Sequence, residues 1–241
     1  MKISIVVPAF NEERLLGMTL AQIKSAAEAF ARRGWDWELI VCDNNSTDRT
    51  AEIARGAGAT VVFEPVNQIA RARNTGAAAA AGDWLIFVDA DSHPGTELFA
   101  EVSEQISSGR CCAGGVTVRM DEHFIFAGVM VRIWNVASRW RKLLAGSFIF
   151  VEATTFRKVG GFSHELFVAE ELDLTMRLRK LAHAEGRQIV ILHRHPLVTS
   201  ARKMRLYTMR EHVRFLARAV FNQRRALTSP EEAHLWYDGR R

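Results

Sequence analysis

Short apolar runs alternate with longer amphipathic stretches through the first half of the chain. Ile3–Val7, Trp37–Cys42, Thr60–Phe63 and Trp84–Val88 are largely apolar rather than alternating, the pattern of strands buried on both faces. Between them, Glu12–Arg33 repeats Leu16, Leu20, Ile23 and Ala27 on one helical stripe. Ser46 or Thr47 is placed to cap a helix running to Arg55, with Asp48 near its positive end. Ile69–Ala81 is an alanine-rich helix that Gly82 ends. This strand–helix alternation predicts an α/β fold: a Rossmann-like, mostly parallel sheet flanked by helices on both faces.

The second half is less regular. Gly95–Ser107, Thr154–Val159 and Glu170–Ala182 read as helices, and Ala113–Val118, Phe148–Val151 and Gln188–Leu192 as strands. Phe124–Leu144 reads as an amphipathic helix carrying Trp134, Trp140, Arg132, Arg139 and Arg141, and Leu206–Phe221 as a final helix with a basic stripe. No stretch has the composition of a linker. One domain over 1–241 is expected: a regular half to about residue 110, a less regular half to about 200, and a basic helical extension over 201–241.

Each early strand runs out into a polar cluster: Pro8-Ala9-Phe10-Asn11-Glu12, Asp43-Asn44-Asn45-Ser46 and Asp89-Ala90-Asp91. In a parallel sheet these clusters share one edge, and that edge is where open α/β sheets bind ligands. The carboxylates of Asp89 and Asp91 suit a divalent cation that in turn holds a diphosphate; the alternative is a loop that caps the next helix. Arg71 and Arg73 open the alanine-rich helix, where a cation opposes the helix dipole. Either phosphate contact or pairing with Asp43 or Asp48 accounts for them.

Composition narrows the classes. At 48% hydrophobic and 24% charged residues, the chain is not predominantly disordered. Cys42, Cys111 and Cys112 match neither a disulfide framework nor a zinc pattern, which suits a reducing compartment. The start Met1-Lys2-Ile3 has no signal-peptide anatomy, and the longest apolar candidate for a membrane span is broken by Arg132, Arg139, Arg141 and Lys142. A cytoplasmic protein touching the inner face of a membrane is expected. The net charge of +5 concentrates toward the C-terminus, which points to an anionic partner or to a solvated face. No nucleic-acid partner is expected, since no binding signature accompanies the charge.

Together the strand-end clusters, Arg71-Ala72-Arg73-Asn74-Thr75-Gly76, Gly160-Gly161-Phe162 and Glu170-Glu171-Leu172-Asp173 resemble, in order and spacing, a family 2 glycosyltransferase of the GT-A fold. The resemblance covers roughly residues 1–200 and implies a nucleotide-binding half to about 110 and an acceptor half to about 200. It implies transfer of a sugar from a UDP- or GDP-sugar to a hydroxyl acceptor, lipid-linked in one reading, with inversion and with Mn²⁺ or Mg²⁺. Pro8, Ala9, Phe10 and Glu12 would then lie against the nucleotide and Asp43 against the base. Asp89, with Ala90 beside it, would face the nucleoside, and Asp91 would hold the metal, with His195 completing its shell. Arg71 would contact the diphosphate, as would Arg202 and Arg119. The family's base is an Asp at the position of Glu171. Here either Glu171 takes that role, or Glu170 or Asp173 does. The departure also admits a non-catalytic nucleotide-sugar binder. A nucleotidyltransferase is a more distant reading, because no glycine-rich phosphate loop follows the first strand.

Overall fold

A computed structural model describes residues 1–121 and 125–200, with side chains left undescribed at 125–127. The elements follow in the order β1 (Lys2–Ala9), α1 (Leu16–Ala31), β2 (Asp36–Asp43), α2 (Thr50–Gly56), β3 (Thr60–Phe63), α3 (Ile69–Ala78) and β4 (Trp84–Val88). Then come β5 (Ser92–His93), α4 (Thr96–Ser107), β6 (Cys111–Met120), α5 (Ile125–Arg141), β7 (Phe148–Glu152), α6 (Ala153–Lys158), α7 (Glu170–Ala184) and β8 (Gln188–Thr199). The expected helix Leu206–Phe221 lies outside the described residues.

All eight strands form one sheet in the order β3-β2-β1-β4-β7-β6-β8-β5. β1 pairs in parallel with β2 and β4, β2 with β3, and β6 with β8. β7 runs antiparallel to both β4 and β6, and β5 antiparallel to β8. The sheet is therefore mixed, with only β7 and β5 reversed. The reversal at β5 has a local cause. A tight turn after β4, closed by the Ser92 N–H on the Asp89 carbonyl at 3.0 Å, sends the chain back along the sheet edge. This two-residue strand is too short for sequence periodicity to register.

Alternating side chains of the buried strands feed two apolar layers. Ile3, Ile5 and Val7 face α1 and α4, packing with Leu16, Leu20, Phe30, Phe99 and Val102. Val6, Leu85 and Phe87 face α3, α6 and α7, packing with Ala70, Phe156, Phe162, Leu174 and Leu178. Phe87 meets the rings of Phe156 and Phe162 at 5.3 and 5.2 Å between centroids. α3 lies hard against β1: a Cβ at Gly76 would fall 2.4 Å from Val6 Cγ1. Close packing thus explains the glycine.

Two boundaries differ from expectation for visible reasons. α1 begins at Leu16, because residues 11 and 12 are tied to the loop after β2. The Asn11 N–H donates to Ser46 Oγ at 3.0 Å and the Glu12 N–H to Thr50 Oγ1 at 2.8 Å. Ser46 therefore serves this tether, and Asp48 receives the Thr50 N–H at 2.9 Å where α2 starts. β8 continues to Thr199 past a bulge, since β6 pairs Val116 with Leu192 but Val118 with Leu197.

Candidate active site

The parallel strands bring the three polar clusters to one edge, as the sequence implied. Ala9 and Asp43 are register partners at the ends of β1 and β2, and Asp89 follows directly on β4. Pro8, Ala9 and Glu12 are buried and Phe10 is half-buried. Asn11 adopts a left-handed backbone with φ of 51°, and its Oδ1 accepts the Thr47 N–H at 2.8 Å, which locks the two loops together. Asp43 is buried, with Oδ1 accepting the Ser46 N–H at 3.1 Å. Its role as a turn residue is therefore realised, and the same bond fixes the carboxylate at the shared edge. Ala90 is buried, and its carbonyl accepts the Thr19 hydroxyl of α1 at 2.8 Å, which anchors the acidic triplet from behind.

Arg73 organises the centre of the site. It is 1% exposed. Its Nη1 donates to Glu170 Oε1 at 2.6 Å, and its Nη2 donates to Asp89 Oδ1 and the Gly146 carbonyl, both at 2.9 Å. The guanidinium also lies over the Phe162 ring, 5.2 Å from its centroid. Burial opposes the charge, but Asp89, Glu170 and Glu171 outweigh it and hold Arg73 above its ordinary range. Gly146 makes room, since a Cβ there would fall 3.1 Å from Nη2. The sequence gives the larger donor-side role to Arg71 and offers pairing of the arginines with Asp43 or Asp48 as the alternative. The carboxylate partners found are Asp89 and Glu170, and Arg71 Nε donates to Gln68 Oε1 at 3.0 Å.

Glu170 and Glu171 open α7, where negative charge suits the helix dipole. Ala169 just before them is left-handed, with φ of 64°, a strained setting for a residue with a Cβ. Glu170 is buried and held by Arg73. Glu171 is half-buried as a whole, and its carboxyl end is the enclosed part, packed beside Gly146. Burial pushes the Glu171 carboxyl up to about 8, helped by the neighbouring charge of Glu170. Asp173, the third acid of this turn, is paired with Arg177 at 2.6 Å.

Three side chains that the sequence reading left without a role hold this region in place. Gln68 is buried, and its Nε2 donates to the carbonyls of His164 and Leu166, each at 2.9 Å. Asn74 bonds Phe162 twice, accepting its N–H at 2.9 Å and donating to its carbonyl at 2.8 Å. Glu64 accepts the Thr75 hydroxyl at 2.7 Å. Asn74 stood inside the Arg71–Gly76 motif, so a signal existed. Nothing in the sequence marks a loop 88 residues away as its partner.

The remaining expected residues separate. Asp91 stays at the edge, with its carbonyl accepting the Ser200 N–H at 3.1 Å. His195 does not join it. It lies in the bulge of β8 and lines, with His93, Arg119 and Arg194, a cavity of about 670 Å³ against α1 and α4. Arg119 thus lies with His195, on the sheet face opposite α3 and α7, and Arg202 lies outside the described residues. Among the described residues, no group of three or more His, Cys, Asp or Glu side chains could hold a metal alone. A single edge carboxylate such as Asp91 still fits Mg²⁺ or Mn²⁺, ions commonly bound by one or two carboxylates together with substrate phosphates and water.

A mixed sheet whose parallel strands share one polar edge, with a reversed strand beside it and the acidic pair Glu170-Glu171 opening α7, has the architecture of the GT-A class of folds. Solved structures agree. The mannosyltransferase PcManGT of Pyrobaculum calidifontis, in complex with GDP-Man and Mn²⁺, matches with a TM-score of 0.69 and 18% identity, over 90% of this chain and 60% of that one. TarS 1-349 of S. aureus, in complex with UDP-GlcNAc, matches with a TM-score of 0.64 and 19% identity, over 98% and 69% of the two chains. Residues 4–157 match the model of glycosyl transferase family 2, and the chain belongs to that family. Dolichol-phosphate mannosyltransferase of Pyrococcus furiosus is 29% identical over 123 residues, 48% of this chain and 33% of that protein. The chain spans less than two thirds of the length of curated relatives that it matches.

Proposed function

We propose that this protein transfers a glycosyl group from a UDP- or GDP-sugar to a hydroxyl acceptor, with inversion. The observation that carries the reading is the buried Arg73 bridge. It ties Asp89, on the donor edge, to Glu170, the neighbour of Glu171. A donor-side carboxylate and a carboxylate of raised pKa are thereby held in one rigid unit, as a displacement between two bound substrates requires.

In this reading Asp43 accepts a hydrogen bond from the base, and Pro8, Ala9, Phe10 and Glu12 shape the nucleotide pocket. Asp89 and Ala90 lie on the nucleoside side, and Arg71 faces the diphosphate. Asp91 would hold Mn²⁺ or Mg²⁺, which supplies charge neutralisation of the departing diphosphate. Glu171 takes the proton from the acceptor hydroxyl as its oxygen bonds to the anomeric carbon, and the bond to the diphosphate breaks with its electron pair. Glu170 is assigned a positioning role because Arg73 occupies it. Residues 1–110 form the donor half and 111–200 the acceptor half, with 201–241 a basic extension. The complexes of PcManGT with GDP-Man and Mn²⁺ and of TarS with UDP-GlcNAc support the donor class and the metal. The proposed setting is cytoplasmic, at the inner face of a membrane, with a lipid-linked acceptor.

The test is release of nucleoside diphosphate from a panel of UDP- and GDP-sugars with Mn²⁺ or Mg²⁺. Release that Glu171→Gln abolishes, with donor binding intact, is the expected result. Binding without release by either protein would favour the non-catalytic reading instead.

A further inference from the structure

α5 carries apolar side chains outward as well as inward, which is unusual for a helix on a protein surface. Its inward side sets the half-buried Val131 and Trp134 beside polar groups that bond to the protein. Asn135 bonds the Val118 backbone twice, donating to its carbonyl at 2.9 Å and accepting its N–H at 3.0 Å, and Ser138 is fully buried with its hydroxyl on the Leu143 carbonyl at 2.7 Å. The outward side carries Val129, Met130, Ile133, Val136 and Trp140, between 40% and 77% exposed. At 3.6 residues per turn these five fall within an arc of about 120°. By the same spacing Arg132 and Arg139 lie along one border of that arc and Arg141 along the other, and all three are exposed. Five of the ten most exposed large apolar residues of the described chain thus share one helix.

We infer that this stripe of α5 is a docking surface for an anionic phospholipid membrane. Apolar side chains sink into the acyl boundary, while the arginines on both borders reach the headgroups through their long stems. A tryptophan near one end of the stripe suits the interface between water and lipid. The charge pattern disfavours a second copy as the occupant. A two-fold contact is self-complementary, so it would press this arginine-bordered stripe against an identical one. An anionic headgroup layer complements both borders at once.

The position of α5 links docking to chemistry. The helix ends at Arg141, and Gly146, a short loop later, presents its carbonyl to Arg73 in the site. Docking along α5 would therefore bring the catalytic edge to the lipid surface, where a lipid-linked hydroxyl is presented. Only this choice of acceptor rests on the transferase reading. The docking surface stands on exposure and charge.

The experiment is co-sedimentation of the full chain with vesicles of phosphatidylcholine alone and of an equimolar mixture with phosphatidylglycerol. Binding to the mixed vesicles, weakened by added salt, is expected. Val136→Glu and Trp140→Glu should each lower partitioning about tenfold or more without changing the melting temperature. Absence of binding, or binding unchanged in both variants, overturns the proposal. So does a lipid-free dimer that Val136→Glu converts to monomer, which assigns the stripe to a second copy. A fall in melting temperature in both variants without vesicle binding assigns it to the chain's own interior. Nucleoside diphosphate release without vesicles is measured in parallel. Release without vesicle binding ends the docking proposal alone, and vesicle binding without release ends the transferase reading alone.

Discussion

Arg73 Nη1 lies 2.6 Å from Glu170 Oε1, although 97 residues separate them in the chain. The pair joins the helix that borders the donor edge to the helix that carries Glu171. Removing one member strands a buried charge, a loss of about 3–5 kcal/mol in comparable pairs. Arg73→Ala should therefore lower stability by that order in urea unfolding. Arg73→Lys should not restore it, because a single ammonium cannot span Asp89, Glu170 and the Gly146 carbonyl in one plane. Wild-type stability in Arg73→Lys would show that the bridge is dispensable.

Glu171 makes a prediction about pH. Its pKa is pushed from 4.5 to about 8 in the folded protein. A carboxyl raised in this way favours folding while it is neutral, so its stabilising effect is present below about pH 4.5 and lost as pH rises through about 8. Glu171→Gln should accordingly raise the melting temperature, and the gain should grow between those limits. As a base, Glu171 must be ionised, so transfer in the wild type should climb with pH toward about 8. A flat profile together with an unchanged melting temperature for Glu171→Gln would remove Glu171 from this role.

Asp89 and Asp91 are separable. Asp89 is bonded to the buried Arg73, so Asp89→Ala should lower stability in the absence of any ligand. Asp91 is partly exposed at the edge, and Asp91→Asn, which keeps the side chain's size, should lower the ligand-free melting temperature less than Asp89→Ala does. It should instead abolish the thermal shift given by a nucleoside diphosphate with Mn²⁺. A full shift in Asp91→Asn would take the metal away from this residue.

Two glycines test the packing that positions the site. Gly76→Ala would drive a methyl to 2.4 Å from Val6 Cγ1, and overpacking of this kind typically destabilises by about 1–3 kcal/mol. At Gly161, with φ of 67°, a Cβ would meet Asn74 Oδ1 at 2.6 Å. Gly161→Ala should loosen the Asn74–Phe162 clamp and speed proteolysis of the loop before α7. Unchanged proteolysis would show that the clamp does not hold that loop.

The sequence was most informative where one residue type has one structural use. Apolar strands ending in Asp43 and Asp89 implied the shared edge, because parallel strands must finish together. Paired acids at residues 170 and 171 implied a helix start. It was least informative where partners are distant or geometry is local. The Arg73 bridge needs β4, α3 and α7 assembled before it exists, and composition cannot choose between Arg71 and Arg73. His195 looked like a late metal ligand because it follows a strand, but the β8 bulge carries it to the α1–α4 face. The short reversed β5 left no periodic trace. The outward apolar stripe of α5 was visible as a pattern, but only the packing of Asn135 and Ser138 shows which side faces the protein.

The role proposed for Glu171, base for transfer from a nucleoside-diphosphate sugar bound at the Asp43–Asp89–Asp91 edge, has a kinetic signature. It is read in single-turnover release of nucleoside diphosphate, measured across pH for the wild type and Glu171→Gln. Wild-type release should rise toward about pH 8, while release by Glu171→Gln should stay flat and lie at least about a hundredfold lower near pH 8, with donor affinity retained. Equal release by the two proteins near pH 8 would exclude Glu171 as the base.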